Sequence, residues 1–300
     1  MATIIKIGID AGHGSTTAGK RTAPFTKNVD IDGDGTVDVK KGQQYREHFA
    51  NVMVADKLVT ELKRCKAFKV TIAGFDDEDA SDDTDTALSA RQTIFKSAGC
   101  EITVSIHFNA SGKGEKFDSA EGVGIYIHDK YPEQSKALAE VVLKYLLKGT
   151  KQKNRGVSPD ALALCNCKTM KTKASILCEL AFMTNEREAQ ELMANEAFCQ
   201  EAAEEIAQAL CEYTKVPYVP VTKETTSKVV YKVQTGAYKV YASAVTLCEK
   251  VKKAGFKDAY IKYSSGLYKV QLGAYSVKAN ANTMLNKVKK AGFEAFLTTN

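Results

Sequence analysis

Near its start the chain reads Ile4-Ile5-Lys6-Ile7-Gly8-Ile9-Asp10-Ala11-Gly12-His13-Gly14, an apolar run that ends in two glycines around a histidine. Near-continuous isoleucine predicts a buried strand in a sheet that is covered on both faces. The glycines permit a tight turn at the carboxyl end of this strand, which is the edge where open α/β sheets hold their ligands. His13 could present a neutral imidazole to a metal there, although a hydrogen-bonded loop histidine is the more frequent occupant of such a turn.

Segments with strand and helix patterns alternate from this stretch to about residue 213. Helices are predicted over 45–64, 86–98, 132–147 and 184–213. Further strands are predicted over 68–73, 101–107, 122–128 and 174–182, and a loop with a short strand over 154–165. This alternation predicts an α/β domain with a mostly parallel sheet flanked by helices.

The last third of the chain has a different organisation. We assign residues 1–214 to the first domain, residues 215–228 with two prolines to a linker, and residues 229–300 to a second domain. In the second domain, Tyr231-Lys-Val-Gln-Thr-Gly-Ala-Tyr238 recurs as Tyr268-Lys-Val-Gln-Leu-Gly-Ala-Tyr275. Each repeat predicts strand, helix and strand, so the two tandem repeats predict a small α+β domain of β-α-β-β-α-β order.

The charge distribution and the cysteine content indicate the kind of partner and the compartment to expect. The formal net charge is +6, but residues 227–300 alone carry thirteen lysines and three acidic residues, which predicts an anionic polymer or surface as partner. Eight scattered cysteines are typical of a reducing compartment. No apolar run is long enough to span a bilayer and no secretory signal is visible, so we expect synthesis in the cytoplasm without membrane insertion.

An acidic insertion follows the opening strand. Its Asp30, Asp32, Asp34 and Asp38 fit the start of a calcium-loop pattern, yet position twelve of that loop is Lys41, where a bidentate Glu is required. The sequence therefore allows two interpretations of this segment: a calcium-binding loop, or an acidic, turn-rich insertion without a ligand.

Two histidines and two glutamates occupy settings that suggest chemistry. His13 and His107 follow predicted buried strands, Glu179 lies inside an apolar run, and Glu47 lies in the first turn of a helix. Two histidines and one carboxylate with an open fourth position form a hydrolytic zinc site, and another Glu then serves as general base. His128 also ends a predicted strand, but an ordinary polar strand-end residue is a better explanation for it than a metal or substrate role.

Three motifs carry a resemblance to a known family. They resemble those of the zinc-dependent N-acetylmuramoyl-L-alanine amidases of the Amidase_3 type over about residues 3–213, with Arg91 and Arg155-Gly156-Val157 also in register. The motifs are Asp10-Ala-Gly-His-Gly14, Ser105-Ile-His-Phe-Asn-Ala110 and Leu177-Cys-Glu-Leu-Ala-Phe-Met-Thr-Asn185. The repeat region resembles a SPOR domain, whose family binds peptidoglycan glycan strands.

The resemblance implies roles for single residues. His13, Glu47 and His107 would bind Zn²⁺ and Glu179 would be the catalytic base, with His48 as the rival of Glu47 for the second ligand. In the tail, the glycan would be bound by five residues: Gln234, Tyr238, Tyr268, Lys269 and Gln271. Alternation along a strand would turn about half of these toward the helices.

The function implied is hydrolysis of the amide bond between N-acetylmuramic acid and the L-alanine of the stem peptide in bacterial peptidoglycan. Without a signal peptide, the expected setting is a phage endolysin that is made in the host cytoplasm and acts on the cell wall after release. The alternatives are a bacterial autolysin or sporulation amidase and a non-catalytic wall-binding protein. The β-α-β-β-α-β order also serves RNA binding, but the aromatic strand signature of such modules is missing, so no nucleic-acid partner is expected.

Overall fold

The computed structural model describes residues 4–112, 114–221, 231–264, 266–275 and 278–299, and the chain divides into two compact units, Met1–Val221 and Thr222–Asn300. The first unit contains a six-stranded sheet of order β2-β1-β3-β6-β4-β5. Its strands are β1 (Ile5–Ala11), β2 (Phe68–Ala73), β3 (Ile102–Asn109), β4 (Val123–His128), β5 (Asn154–Asp160) and β6 (Ala174–Phe182).

The sheet is mostly parallel, as predicted. β1 pairs in parallel with β2 and β3, β3 with β6, and β4 with β5, whereas β4 runs antiparallel to β6. The carboxyl ends of β1, β3 and β6 therefore meet at one edge of the sheet. β5 is the short strand predicted within 154–165, and it ends at Asp160, before a 3-10 turn that begins at Ala163.

Helices cover both faces of this sheet. They are α1 (Glu47–Arg64), α2 (Leu88–Ala98), α3 (Pro132–Leu146), α4 (Cys167–Met170), α5 (Glu186–Glu188) and α6 (Glu196–Thr214). The helices α1, α3 and α6 pack on the face that carries Ile7 and Ile9, where the main apolar core lies. On the other face, Phe95 of α2 lies against Gly8 in a smaller apolar cluster.

The prediction of one continuous helix over 184–213 is wrong, because the chain forms two helices there. α5 continues into a π-helical turn, Ala189–Met193, and the chain then starts afresh as α6. Asn195 has an extended backbone (φ −145°), and its side chain accepts a hydrogen bond from the backbone N–H of Phe198. Because asparagine is a strong N-cap, it begins a new helix here and interrupts the longer one.

Residues 215–221, which lie in the predicted linker, pack on the first unit. Val216 and Tyr218 lie against the main core, the Tyr218 hydroxyl donates to Glu61 Oε2 at 2.6 Å, and Arg64 Nε donates to the Val219 carbonyl at 3.0 Å. The remaining linker residues, 222–228, lie outside the described residues.

The second unit contains a four-stranded antiparallel sheet of order β10-β7-β9-β8. Its elements are β7 (Tyr231–Tyr238), α7 (Tyr241–Lys253), β8 (Tyr260–Ser264), β9 (Leu267–Tyr275), α8 (Lys278–Lys290) and β10 (Phe296–Thr298). Val233, Val270 and Leu272 pack with apolar residues of both helices in a separate core. Within the described segments of both units, no helix is long and apolar enough to cross a bilayer.

Candidate active site

Three predicted ligands converge at the carboxyl edge of the parallel strands. His13 follows β1, His107 lies near the end of β3, and Glu47 is the first residue of α1. Oε2 of Glu47 lies 3.2 Å from Nε2 of His13, and its Oε1 lies 3.1 Å from Nδ1 of His107. One ligand atom from each residue lies within 4.8 Å of the other two.

Gly12 and the backbone of His13 shape this convergence. A Cβ on Gly12 would lie 2.1 to 2.5 Å from ring atoms of His107, so only glycine leaves room for that imidazole. His13 itself has a φ of 67°, a left-handed conformation that is uncommon outside glycine. The surrounding contacts must therefore hold the turn in place.

A buried arginine provides those contacts. Arg91, which is 1% exposed, donates to Asp10 Oδ1 at 3.0 Å, to the Ala11 carbonyl at 2.5 Å and to the carbonyl of His13. The hydroxyl of Ser105 donates to the second oxygen of Asp10. The sequence placed Arg91 in a motif but gave it no role; the signal was Asp10, a carboxylate that requires a partner inside a buried strand.

His48, the alternative to Glu47 as the second metal ligand, forms hydrogen bonds with other groups. Its Nδ1 lies 2.7 Å from the Gly12 carbonyl and its Nε2 lies 2.8 Å from Asp83 Oδ2. Asn51 Nδ2 donates to the same carbonyl at 3.0 Å. With both ring nitrogens in hydrogen bonds, His48 supports the turn before His13, and Glu47 alone of the two reaches the histidine pair.

Glu179 lies beside this cluster, in register with His107 on the neighbouring strand. Burial raises the pKa of Glu179 to about 8, helped by the charge of Glu47 and opposed by His107 and Lys20. Burial also acts to raise the pKa of Glu47, but the hydrogen bond from His107 and the close approach of both histidines hold that pKa far below its usual range.

The pKa values of the two histidines shift in opposite directions. Burial lowers the pKa of His13, and the nearby carboxylate of Glu47 only partly offsets this. Burial, the largest single effect, likewise opposes a charge on His107, yet the hydrogen bond to Glu47 and the charges of Glu47, Glu179 and Asp10 together outweigh burial and raise the pKa of His107.

Unpartnered polar atoms test whether a metal fits here. Among the residues that the structure describes, His13 Nε2, Glu47 Oε2 and Glu179 Oε2 are buried without a hydrogen-bond partner, because the 3.2 Å approach of the first two lacks hydrogen-bond geometry. Leaving such atoms unsatisfied is costly. Two imidazoles and one carboxylate are the donor set of a hydrolytic Zn²⁺ site, so the residues fit that ion.

The acidic insertion is more loosely organised. Carboxylate oxygens of Asp30, Asp32 and Asp38 lie within 4.8 Å of one another, and Asp34 is not part of this group. Backbone N–H groups of the same loop already donate to Asp30 at 2.8 Å. His128 is engaged locally as expected, since its Nδ1 accepts from the Lys130 N–H at 3.2 Å.

The predicted glycan residues lie on adjacent strands of the second unit. Gln234 pairs with Gln271 and Tyr238 with Tyr268 across β7 and β9, with Lys269 one position along. Gln234 and Gln271 are buried, and Gln271 accepts a hydrogen bond from the Tyr260 hydroxyl at 2.9 Å. The rings of Tyr238 and Tyr268 pack partly against the core beneath the helices.

An exposed aromatic group at the edge of this sheet was not predicted. The ring of Tyr268 contacts those of Tyr241 and Tyr263, with centroids 5.2 and 4.7 Å apart, and the latter two side chains are more than half exposed. Strand alternation would have indicated Tyr263, which lies opposite Tyr268, only once the pairing of β8 with β9 was known.

The fold and the grouped residues define an amidase of the bacterial cell wall. The sequence matches the Amidase_3 family, described as N-acetylmuramoyl-L-alanine amidase, over residues 7–212, and the chain belongs to that family. A SPOR domain matches residues 264–300. The chain is therefore a peptidoglycan amidase that carries a SPOR domain. No curated protein sequence matches the chain.

Solved amidase structures share the fold of the first unit. An N-acetylmuramoyl-L-alanine amidase from Clostridium difficile 630 is 24% identical with a TM-score of 0.54, and the match covers 71% of this chain and 98% of that one. The catalytic domain of CwlV, an amidase from Bacillus (Paenibacillus) polymyxa var. colistinus, is 25% identical with a TM-score of 0.53, covering 71% and 100%. AmiC2 of Nostoc punctiforme is 23% identical with a TM-score of 0.52, covering 70% and 97%.

Proposed function

We propose that the first unit is a zinc-dependent hydrolase of the amide bond between N-acetylmuramic acid and L-alanine. The observation that carries this is the convergence of His13, Glu47 and His107, with unpartnered buried atoms, beside the buried carboxyl of Glu179. When bound, a zinc ion would supply Lewis acidity, which lowers the pKa of water and polarises the amide carbonyl.

Residues of the chain provide the proton transfer and the charge of the ligand set. Glu179 accepts the proton of the attacking water and then delivers it to the departing nitrogen of L-alanine. Its burial favours uptake of that proton, because burial disfavours the charged form of a carboxyl group. Glu47 stays ionised between the two imidazoles, so the ligand set carries one negative charge.

The second unit is proposed to bind the glycan strands of peptidoglycan and to consist of two tandem β-α-β repeats. Its excess of lysine and the exposed Tyr241 and Tyr263 support an anionic, sugar-containing polymer as its partner. The proposed glycan residues remain Gln234, Tyr238, Tyr268, Lys269 and Gln271.

Digestion of purified sacculi tests the reaction. We expect new free amino groups from L-alanine, lost on addition of a chelator and regained with Zn²⁺; new reducing sugars, or no release, would contradict the proposal. Glu179→Ala should keep one zinc per chain and lose turnover, whereas His107→Ala should lose the metal. Full activity of Glu179→Ala would refute its role as the base.

Phage host lysis is the proposed biological setting, and cell-wall remodelling by a bacterial autolysin is the alternative. Both use the same bond cleavage. Co-expression with a holin should lyse a bacterial host, and expression without the holin should leave the culture intact; lysis without any holin would favour the autolysin.

A further inference from the structure

A polar pocket of ≈ 160 Å³ lies between β4, β5 and the end of β3. Its wall includes Gly124, which is the antiparallel partner of Glu179, and Asn109, which lies two positions beyond His107 on β3. Directly paired residues in a ladder project to the same face, and a Cβ on Gly124 would lie 3.2 Å from the Cβ of Arg155, so Arg155 starts on the face of the sheet that carries the Glu179 side chain.

A bulge between β4 and β5 determines what faces this space. Val123 pairs with Asn154 and Ile125 with Val157, so Arg155 and Gly156 together lie opposite Gly124. The φ of 79° at Gly156 permits the irregularity. Such bulges redirect a side chain, and here Arg155 becomes part of the pocket wall.

The pocket carries positive charge that is left uncompensated. Arg155 lies over the ring of Phe182 at 4.8 Å and donates to the Glu121 carbonyl at 3.3 Å, which leaves other guanidinium donors available. Lys153 also lines the pocket. Within the described ranges, neither cation has an ion pair with a carboxylate of the chain. Two such cations beside amide and hydroxyl groups favour a carboxylate ligand, which the planar guanidinium can hold with two parallel hydrogen bonds.

Resting on the proposed function, we infer that Arg155, assisted by Lys153, binds the α-carboxylate of the second residue of the stem peptide. Neighbouring strands lie about 4.8 Å apart, so Arg155 on β5 starts about two strand spacings from Glu179. An extended peptide advances about 3.5 Å per residue, and the long arginine side chain covers the rest. The stem peptide carries carboxylates, whereas the glycan offers hydroxyl and acetamido groups. The enzyme therefore prefers stem peptides in which this carboxyl is free over those in which it is amidated.

Two synthetic muramoyl peptides test the inference. They are identical except that the α-carboxyl of the second stem residue is a carboxylate in one and a carboxamide in the other. The wild type should hydrolyse the carboxylate substrate with a kcat/KM at least about tenfold higher, as charged hydrogen bonds provide, and mainly through KM. Arg155→Ala should remove most of that preference, because its kcat/KM falls much more on the carboxylate substrate than on the carboxamide substrate. Lys151→Ala, an exposed lysine of the same segment outside the pocket, should keep the preference.

The outcomes separate this inference from the proposed function. Equal hydrolysis of both substrates by the wild type, or an equal loss on both in Arg155→Ala, would refute carboxylate binding and leave the amidase standing. Failure of the wild type to cleave either substrate would refute the amidase and the inference with it. If Arg155→Ala does not fold, Arg155→Gln gives the same comparison, since its amide keeps hydrogen bonding but removes the charge.

Discussion

Gly12 lies between the last residue of β1 and His13, where the His107 ring fills the space that a side chain would take. Gly12→Ala should therefore displace His107 from Glu47 and lower zinc affinity by about ten- to a hundredfold, the range found when ligand-orienting contacts are lost. Competition with a chromogenic chelator measures this affinity.

Gly42→Ala is the matched control for that substitution. Its φ is 87°, but open space surrounds the position of the added Cβ. It should cost about 1 kcal/mol of folding free energy through backbone strain and leave zinc affinity unchanged. Wild-type affinity in Gly12→Ala would show that the ring contact does not position the ligand.

Arg91 and Asp10 form a buried ion pair under the same turn, at 3.0 Å. Arg91→Met should lower the free energy of unfolding by about 3–5 kcal/mol, because Asp10 is left buried and charged. Adding Asp10→Asn should recover part of this loss. Urea unfolding of the three proteins measures both effects. No recovery in the double variant would place the role of Arg91 in its backbone contacts with Ala11 and His13.

Among the elements, some were predictable to the residue and others were not. The bounds of β2 and β6 follow from the sequence, because β2 alternates apolar and polar residues up to Gly74 and β6 is a mostly apolar run that begins after Lys173. The break at Asn195 was missed because the apolar spacing continues across it and only the cap reveals it. The bulge opposite Gly124 was also beyond prediction, since it depends on the pairing of two strands distant in sequence.

The site could be predicted only as a set of residues. His13, His107 and Glu179 were visible at the ends or inside buried strands, but their approach to Glu47 depends on how α1 packs. The hydrogen bond between His48 and Asp83 depends on where the acidic loop after β2 folds back, for which the sequence carries no pattern.

Helix α6 contains a glutamate whose protonation should make the stability of the protein depend on pH. Burial raises the pKa of Glu205 to about 7, and the neighbouring charge of Glu201 adds to this. A carboxyl with a raised pKa in the folded state costs no stability below its unfolded pKa of about 4.5 and destabilises increasingly as pH rises toward 7.

Glu205→Gln removes that penalty. Its Tm should equal the wild-type Tm at pH 4 and exceed it at pH 8, with the difference growing between these values. Differential scanning calorimetry across this range measures it. Glu186→Gln, at a more exposed glutamate, is the control and should show no such trend. A constant difference at all pH values would exclude titration as the cause.

At the scale of the whole molecule, charge and function divide between the two units. The net positive charge lies in the second unit, and the grouped histidines and glutamates lie in the first. Hydrolysis and wall binding should therefore be separable, provided that the cut respects the packing of Tyr218 on Glu61 and of Val219 on Arg64.

A chain that ends at Val221 should keep its turnover on a small soluble muramoyl peptide and lose at least about tenfold in apparent affinity for sacculi, because a linked second site no longer adds to binding. Cosedimentation with sacculi measures binding, and amine release from the small substrate measures turnover. A chain that ends at Lys215 is the structural comparison: it also loses the Tyr218 contacts and should melt at a lower temperature than the longer truncation. Equal sacculus binding by the full chain and the Val221 truncation would show that the first unit alone holds the wall.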